Sequence, residues 1–267
     1  MNVFKKAAAV AAALALLAGY GAPTARAQTP DEIKSRGTIN IGMLVDFPPF
    51  GILDLEGKPD GYDADVAKLL AEDMGVEANL VPVTGPNRIP YLLSNQVDIL
   101  VASLGITEER AKQVDFSQPY AGIEIFVVGD TGVEVKNADD LAGKSVGVAR
   151  ASTQDTAITG MAPKSTNIQR FDDDATAVQA LLSGQVPLIG ASNTVIAQID
   201  QAAPGRFDKK FQLRQQSQGI ATRPGATEMM AYVNDFLTRK KESGELNALY
   251  EKWIGAPLPD FVLKTTK

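Results

Sequence analysis

Arg110 is the residue whose type and position most directly suggest ligand chemistry. It ends the segment Thr107-Glu108-Glu109-Arg110, which follows an apolar run, Ile99 to Ala102, typical of a strand buried on both faces. Thr107 is a good helix cap, so Arg110 falls in a first helical turn, where the helix dipole disfavours a cation. Such an arginine is either a surface charge, which the motif taken alone favours, or the binding group for a carboxylate, which its planar fork holds through two parallel hydrogen bonds.

Ser152 and Thr153 form a second candidate anion site. They precede Gln154-Asp155 at the start of a predicted helix, where free N–H groups and the helix dipole favour an anion. Ser152 can equally be a simple N-cap, and the two roles are compatible. A matching anion site here makes a carboxylate clamp the better interpretation of Arg110.

Histidine and cysteine are both absent from the chain, which narrows the chemistry available to it. Without histidine the usual general base near neutral pH is missing, and a Ser-His-Asp hydrolase is excluded. Without cysteine there is no thiolate nucleophile and no thiolate metal site. The triplet Asp172-Asp173-Asp174 lacks the ligand loop of an EF-hand and is interpreted as helix capping. No catalytic residue, cofactor or metal is predicted.

The N-terminal segment has the pattern of a secretory signal peptide. Lys5 and Lys6 precede an apolar run, 7–18, and Ala25-Arg26-Ala27 forms a small-x-small cleavage site. The apolar run is too short to span a bilayer. Residues 1–27 are therefore predicted to be removed after Ala27, leaving a soluble protein in the periplasm. A formal net charge of −6 without a basic run argues against a nucleic-acid partner.

The rest of the chain predicts two α/β units. Strand and helix patterns alternate at the spacing of parallel crossover units up to the apolar run 121–128, and then alternate again up to a final predicted strand at 211–214. The two C-terminal helical patterns are expected to pack on the first unit. Lobe 1 would then be residues 28–128 plus 219–267, and lobe 2 residues 129–218. The cleft between such lobes is the expected ligand site.

Four motifs in a fixed order together span almost all of the mature chain. They are Asp46-Phe47-Pro48-Pro49-Phe50, Gly61-Tyr62-Asp63-Ala64-Asp65, the segment from Ala102 to Tyr120, and Lys252-Trp253. As a set they resemble the extracellular solute-binding proteins of family 3, which deliver polar amino acids to ABC importers. The resemblance implies a type II periplasmic-binding-protein fold, with the second lobe inserted in the first and two hinge crossings. It also implies a monomer that passes its ligand to an inner-membrane permease.

The resemblance further implies a position for the ligand's α-carboxylate. In the family the arginine of a Thr-x-x-Arg segment and main-chain amides of both lobes hold this group. Those roles fall on Arg110, on the amide of Gly105, and on Thr153 beside Ser152.

The ammonium side departs from the family pattern. The family holds the α-ammonium with the carbonyl of the residue at Ser103, a hydroxyl at the position of Gly105 and an aspartate at the position of Ser192. Here Gly105 has no hydroxyl, and Ser192 and Asn193 can accept hydrogen bonds but carry no charge. A solute with a carboxylate and a weaker or absent amine therefore remains open beside an α-amino acid.

The remaining candidates concern the outer end of the ligand. Phe47 could pack against the ligand or belong to the core. Leu44 stands where relatives that bind basic amino acids carry an acid, so a non-basic amino acid is predicted. Asn87, Arg88 and Arg150 could reach the cleft, but a surface position is favoured for Arg150.

An enzyme on the same fold is the alternative function. Periplasmic cyclohexadienyl or arogenate dehydratases share this architecture, and fold alone does not settle function. Such an enzyme needs a carboxylic acid or a lysine in the cleft. The predicted cleft residues include neither, which favours binding without chemistry.

Overall fold

The computed structural model describes residues 29–264. The predicted signal peptide and its cleavage site lie outside that range. Within it, no helix combines the length and the apolar composition that a bilayer crossing requires. The helices are α1 (Pro30–Arg36), α2 (Tyr62–Met74), α3 (Arg88–Leu93), α4 (Glu108–Ala111), α5 (Thr153–Met161), α6 (Asp174–Leu182), α7 (Asn193–Ala202), α8 (Thr227–Glu242), α9 (Glu245–Ile254) and α10 (Asp260–Leu263), with a 3-10 turn at Ala138–Leu141. The strands are β1 (Thr38–Leu44), β2 (Ile52–Leu53), β3 (Pro59–Asp60), β4 (Glu77–Val83), β5 (Ile99–Leu100), β6 (Asp115–Asp130), β7 (Ser145–Ala149), β8 (Asn167–Phe171), β9 (Leu188–Ser192) and β10 (Phe207–Thr222).

The sheet explains how the two α/β units are joined. Eight strands of the described chain hydrogen-bond in the order β4-β1-β5-β10-β6-β9-β7-β8, while β2 and β3 form a separate hairpin. β1 lies parallel to β4 and β5, and β7 lies parallel to β8 and β9. Between these two parallel groups, β6 and β10 pair antiparallel over almost their whole length. The α/β architecture predicted from the sequence is confirmed.

β6 and β10 are each 16 residues long, longer than the sequence patterns predict. The predicted strands at 121–128 and 211–214 are only the central parts of these two elements. Exposed and half-buried polar side chains conceal most of β10 from a hydrophobic pattern, because main-chain pairing with β6 defines the strand there. The predicted lobe boundaries, near Val128 and Gly219, fall inside the two strands and stay predictions.

A buried aromatic cluster packs the start of α2 against β6. The ring of Tyr62 stacks on that of Tyr120 at 5.9 Å between centroids, and the Tyr62 hydroxyl donates to the Tyr120 carbonyl at 2.7 Å. Burying a ring of this size contributes about 1.5–3 kcal/mol. Gly61, with a φ of 116°, allows the close approach at the start of α2, since a Cβ there would lie 2.5 Å from the Phe50 carbonyl oxygen. The cluster therefore fixes the first turn of α2, which carries Asp63, against β6.

Candidate ligand-binding site

Arg110 is buried, with 9 % of its surface exposed, and it joins the two halves of the molecule. Thr107 caps α4 as predicted and accepts a hydrogen bond from the Arg110 amide at 3.2 Å. The guanidinium donates to the Gly105 carbonyl at 2.9 Å and, across the cleft, to the Ala151 carbonyl at 2.7 Å. A longer contact of 3.4 Å reaches the Thr153 hydroxyl. The interpretation of Arg110 as a surface charge is therefore wrong.

The electrostatic surroundings of Arg110 favour an anion. Burial lowers the pKa of its guanidinium to about 9, and the positive charge of Arg88 adds to that shift. Within the described chain, the guanidinium donates to two carbonyls and one hydroxyl, all uncharged. A ligand carboxylate would supply the negative charge that a buried guanidinium favours.

The start of α5 lies opposite Arg110. Ser152 is the N-cap, as predicted, and its hydroxyl accepts from the Asp155 amide at 3.1 Å. Asp155 accepts from the Ala151 amide at 3.2 Å, and Arg170 holds its carboxylate at 2.9 Å. Ala151 has a φ of 57°, a left-handed conformation that this network stabilises. Its carbonyl is thereby presented to Arg110.

An interlobe cavity lies beside this contact, with an empty volume of about 520 Å³ including its opening to solvent. The predicted residues Phe47, Ser103, Ser152 and Thr153 line it. Arg110 lines a neighbouring cavity that shares Gly85 and Arg88 with the first. The other residues of the interlobe cavity are Leu44, Asp46, Ile123, Ala149, Arg150, Gln154, Asp172, Asp173, Asp174 and Gln216.

Ser192 and Asn193 are not among the residues that line the interlobe cavity. Ser192 caps α7, and its hydroxyl lies 2.8 Å from that of Thr194. The Asn193 side chain accepts from the Glu124 amide at 3.2 Å and lines a separate cavity near α9 and α10. Their predicted role at the ammonium stays a prediction that this arrangement does not favour.

Ser103 is held in an unusual conformation by a buried carboxylate. Its φ is 46°, its hydroxyl donates to Asp63 at 2.8 Å, and its amide donates to the Tyr120 hydroxyl at 3.0 Å. The Tyr120 hydroxyl donates in turn to Asp63 at 2.7 Å. Burial raises the pKa of Asp63 to about 7, against the lowering effect of these hydrogen bonds. Because the Ser103 hydroxyl uses its one hydrogen on Asp63, this side chain can offer a ligand only an acceptor.

Carboxylates from both halves line the cavity, which corrects the expectation that the cleft contains none. Burial raises the pKa of Asp174 to about 7, and the nearby Asp46 adds to the shift. Burial likewise raises the pKa of Asp46, with a contribution from Asp173. The predicted capping role is confirmed for Asp173, whose carboxylate accepts from the Thr176 amide at 2.7 Å. Within residues 29–264 no group of three or more acidic side chains is arranged to hold a metal ion.

Arg88 is the buried cation among these carboxylates. It is 5 % exposed and donates to the Ala102 carbonyl at 2.8 Å. Burial lowers its pKa to about 10, while Asp174, Asp46 and Asp63 act in the opposite direction. The exposed Arg150 also lines the cavity and lies 3.9 Å from Asp172.

Residues 39–256 match the model of the bacterial extracellular solute-binding proteins, family 3. The chain belongs to this family. It is 31% identical over 258 residues to the L-cystine-binding protein TcyJ of Escherichia coli K12, which covers 91% of this chain and 93% of that protein.

Solved structures of amino acid receptors share the fold of this chain. A solute receptor for L-cysteine from Neisseria gonorrhoeae superposes with a TM-score of 0.79 at 29% identity, covering 85% of this chain and 94% of the other. An ancestral amino acid-binding protein, described as a precursor of cyclohexadienyl dehydratase, gives a TM-score of 0.77 at 32% identity, covering 84% and 98%.

Asp46, Asp174 and Gln216 line the cavity of this family 3 protein but were not identified as site residues from its sequence. Asp46 lies just beyond the carboxyl end of β1 and Asp174 just beyond that of β8, the edge at which α/β sheets bind ligands. That position is a signal that could have identified both carboxylates. Gln216 offers no comparable signal, because it lies within a long strand whose extent the sequence did not reveal.

Proposed function

We propose that this protein binds an amino acid between its two lobes, holds the carboxylate of that ligand with Arg110, and delivers it to an ABC import permease. The observation that carries the proposal is the buried Arg110, whose guanidinium bonds both to Gly105 in one half and to Ala151 in the other. The group that suits a carboxylate is therefore also a group that joins the lobes.

This arrangement links binding to closure. A ligand shifts a conformational equilibrium only by its difference in affinity for the two states. Arg110 meets Ala151 and Thr153 only when the lobes are together, so a carboxylate placed among them interacts with the closed state far better than with an open one. A permease that recognises the closed form would then select loaded protein.

The ligand class proposed is that of amino acids as a whole. The prediction of a non-basic amino acid rested on Leu44, which does line the cavity. Asp46 and Asp174 line it too, so the missing acid at position 44 no longer argues against a basic side chain. Basic amino acids therefore belong in any screen.

We also propose that the protein is exported to the periplasm and acts as a monomer. The predicted signal peptide and the membership of an extracellular family support the location. The family resemblance supports the partnership with an inner-membrane permease.

A dehydratase activity is the second candidate, and one observation favours it. Asp174 has a pKa raised to about 7 by burial and lines the cavity, as a general acid at neutral pH would. The ancestral relative of the dehydratases is itself described as an amino acid-binding protein, which favours binding. Turnover of prephenate or arogenate by the purified protein would establish the enzyme instead.

The test of the proposed function is a thermal-shift screen of the mature protein with the twenty L-amino acids. A ligand that binds the folded state raises the melting temperature by mass action. Titration calorimetry with each hit then compares the parent with Arg110→Ala. We expect affinity to fall at least about 30-fold, since removing one partner of a buried charge pair costs about 2–5 kcal/mol.

Arg206→Ala is the matched control for that comparison, because Arg206 is a half-exposed arginine that lines neither the interlobe cavity nor the neighbouring cavity at Arg110. The control should bind as the parent does. Unchanged affinity in Arg110→Ala, or no hit among the amino acids, would contradict the proposed function.

A further inference from the structure

Gly105 and Gln216 occupy one shared space. Gly105 forms an isolated bridge with Gln218 of β10, which brings Gln216 alongside it. A Cβ added to Gly105 would lie 2.3 Å from Nε2, 2.5 Å from Cδ and 2.8 Å from Oε1 of Gln216. Real Cβ contacts do not occur at such distances, so the carboxamide of Gln216 fills the volume that any side chain at residue 105 would need.

The carboxamide has a free acceptor in this position. Gln216 is 1 % exposed, and its Nε2 donates to the Ser217 carbonyl at 2.7 Å, which identifies the nitrogen end of the amide. Among the described residues, its Oε1 is buried without a hydrogen-bond partner. A buried carbonyl without a donor is unfavourable, so such a group calls for a functional explanation. Gln216 lines the interlobe cavity, as do Ser103, Asp46 and Asp174.

We propose that Oε1 of Gln216 accepts a hydrogen bond from the ammonium group of the ligand, in place of a side chain at Gly105, and that Asp46 and Asp174 supply the negative charge nearby. This inference rests on the proposed function and defines its ligand as an amino acid with a free amine. An ammonium ion donates up to three hydrogen bonds, and it is costly to bury unless acceptors and negative charge replace its water.

The two carboxylates are suited to this role by their placement. Asp46 follows β1 and Asp174 starts α6, so they approach from opposite halves. The negative charge of Asp46 adds to the raised pKa of Asp174, so a negative charge on Asp174 is disfavoured while Asp46 is ionised. The buried Arg88 offsets part of this charge. A cation between the lobes would remove the remaining repulsion and favour closure.

The test measures discrimination between an amino acid and its des-amino counterpart. Three pairs serve as probes: L-glutamine with glutaramic acid, L-arginine with 5-guanidinovaleric acid, and L-cystine with 3,3′-dithiodipropionic acid. Titration calorimetry gives the ratio of the two dissociation constants for the parent and for Gln216→Met, which keeps the volume of the side chain and removes the acceptor. We expect the parent to prefer the amino acid of at least one pair by tenfold or more. Gln216→Met should lose most of that preference, while its affinity for the des-amino acid should change less than threefold.

Two further variants separate this role from a structural one. Gln212→Met changes an exposed glutamine of the same strand that does not line the cavity, and it should keep the parental ratio. The double variant Gly105→Ser with Gln216→Ala places a hydroxyl in the vacated space. It should recover at least part of the preference for the amino acid, and it provides a test even if Gln216→Met folds poorly.

The outcomes distinguish the two proposals. If Gln216→Met keeps the parental preference for the amino acid, the proposed role of Gln216 is wrong. If Gln216→Met fails to fold, the role is wrong when the double variant does not recover that preference. A parent that binds neither member of any pair and no other L-amino acid overturns the proposed function, and this inference with it.

Discussion

The proposed carboxylate side and the proposed ammonium side of the cleft are built in different ways. On the carboxylate side, one charged residue, Arg110, is placed by a cap three residues earlier and bonds to Gly105 five residues earlier. On the ammonium side, Asp46, Asp174 and Gln216 come from parts of the chain far apart in sequence and meet only in the folded cavity. The difference shows that a site whose residues are close in sequence can be recognised as a motif. A site whose residues are brought together only by the fold cannot.

The two sides also differ in how charge is neutralised. Within the described chain, the hydrogen-bond acceptors of the buried Arg110 guanidinium are uncharged, whereas the opposite side places carboxylates around a buried arginine, Arg88. A zwitterion with its carboxylate at Arg110 and its ammonium at Asp46 and Asp174 would complement both. The comparison therefore predicts that changes on the carboxylate side affect every ligand, and changes on the ammonium side affect only ligands with an amine.

The largest effect is expected for Arg110→Lys. Lysine keeps the charge but loses the planar fork, so amino acids and their des-amino counterparts should both bind about 30-fold more weakly. Titration calorimetry with both members of a pair measures this. Weaker binding of the amino acid alone would show that Arg110 does not hold the carboxylate.

A smaller and more selective effect is expected for Asp174→Asn. The change removes one negative charge and keeps the shape, so affinity for an amino acid should fall about tenfold, or about 1.4 kcal/mol, while the des-amino acid binds as before. The melting temperature of the ligand-free protein should not fall, because a half-buried carboxylate with a raised pKa opposes folding at neutral pH. Equal losses for both ligands would contradict the division into two sides.

The pH dependence should differ between the two kinds of ligand. Asp174 has a pKa of about 7 without ligand, and a bound ammonium would favour its ionised form, so binding should release protons below pH 7. Lowering the pH from 8 to 5 should weaken amino-acid binding about fivefold and leave des-amino acids unaffected or better bound. Calorimetry in buffers of different ionisation enthalpy measures the protons released.

The raised pKa of Asp174 also makes the stability of the ligand-free protein depend on pH. The folded protein binds protons at Asp174 more readily than the unfolded chain does, from the ordinary carboxyl range up to about pH 7. The contribution of Asp174 to the stability of the ligand-free protein is therefore fully present below the ordinary carboxyl range. That contribution is lost as the pH rises through 7. Asp174→Asn should remove that part of the pH dependence of the melting temperature.

The smallest effect is expected for Thr107→Ala. Loss of the cap hydrogen bond to the Arg110 amide should cost about 1 kcal/mol of stability. Affinity should fall only about twofold to threefold for both ligands, because Gly105 and Ala151 still hold the guanidinium. Thr107→Ser retains the cap and should behave as the parent. A loss as large as that of Arg110→Lys would mean that the cap, rather than those carbonyls, positions the arginine.

Much of the fold was predictable because its signals are local. Alternating apolar patterns and caps gave the parallel units, and Thr107, Ser152 and Asp173 are N-caps in the structure. The full length of β10 was not predicted, because main-chain pairing with β6 defines this strand rather than an apolar pattern. Asp174 was interpreted only as part of a capping triplet, since nothing local shows that it faces Asp46 across a cleft. The relation between Gly105 and Gln216 depends on strand pairing between residues far apart in the chain.

A crystal structure of the mature protein with the amino acid that raises its melting temperature most tests the central claim directly. We expect closed lobes, with the ligand carboxylate within hydrogen-bond distance of Arg110. The ammonium should lie within hydrogen-bond distance of Gln216 Oε1 and face Asp46 and Asp174. A ligand bound in the opposite orientation, or one whose carboxylate does not contact Arg110, would contradict the claim.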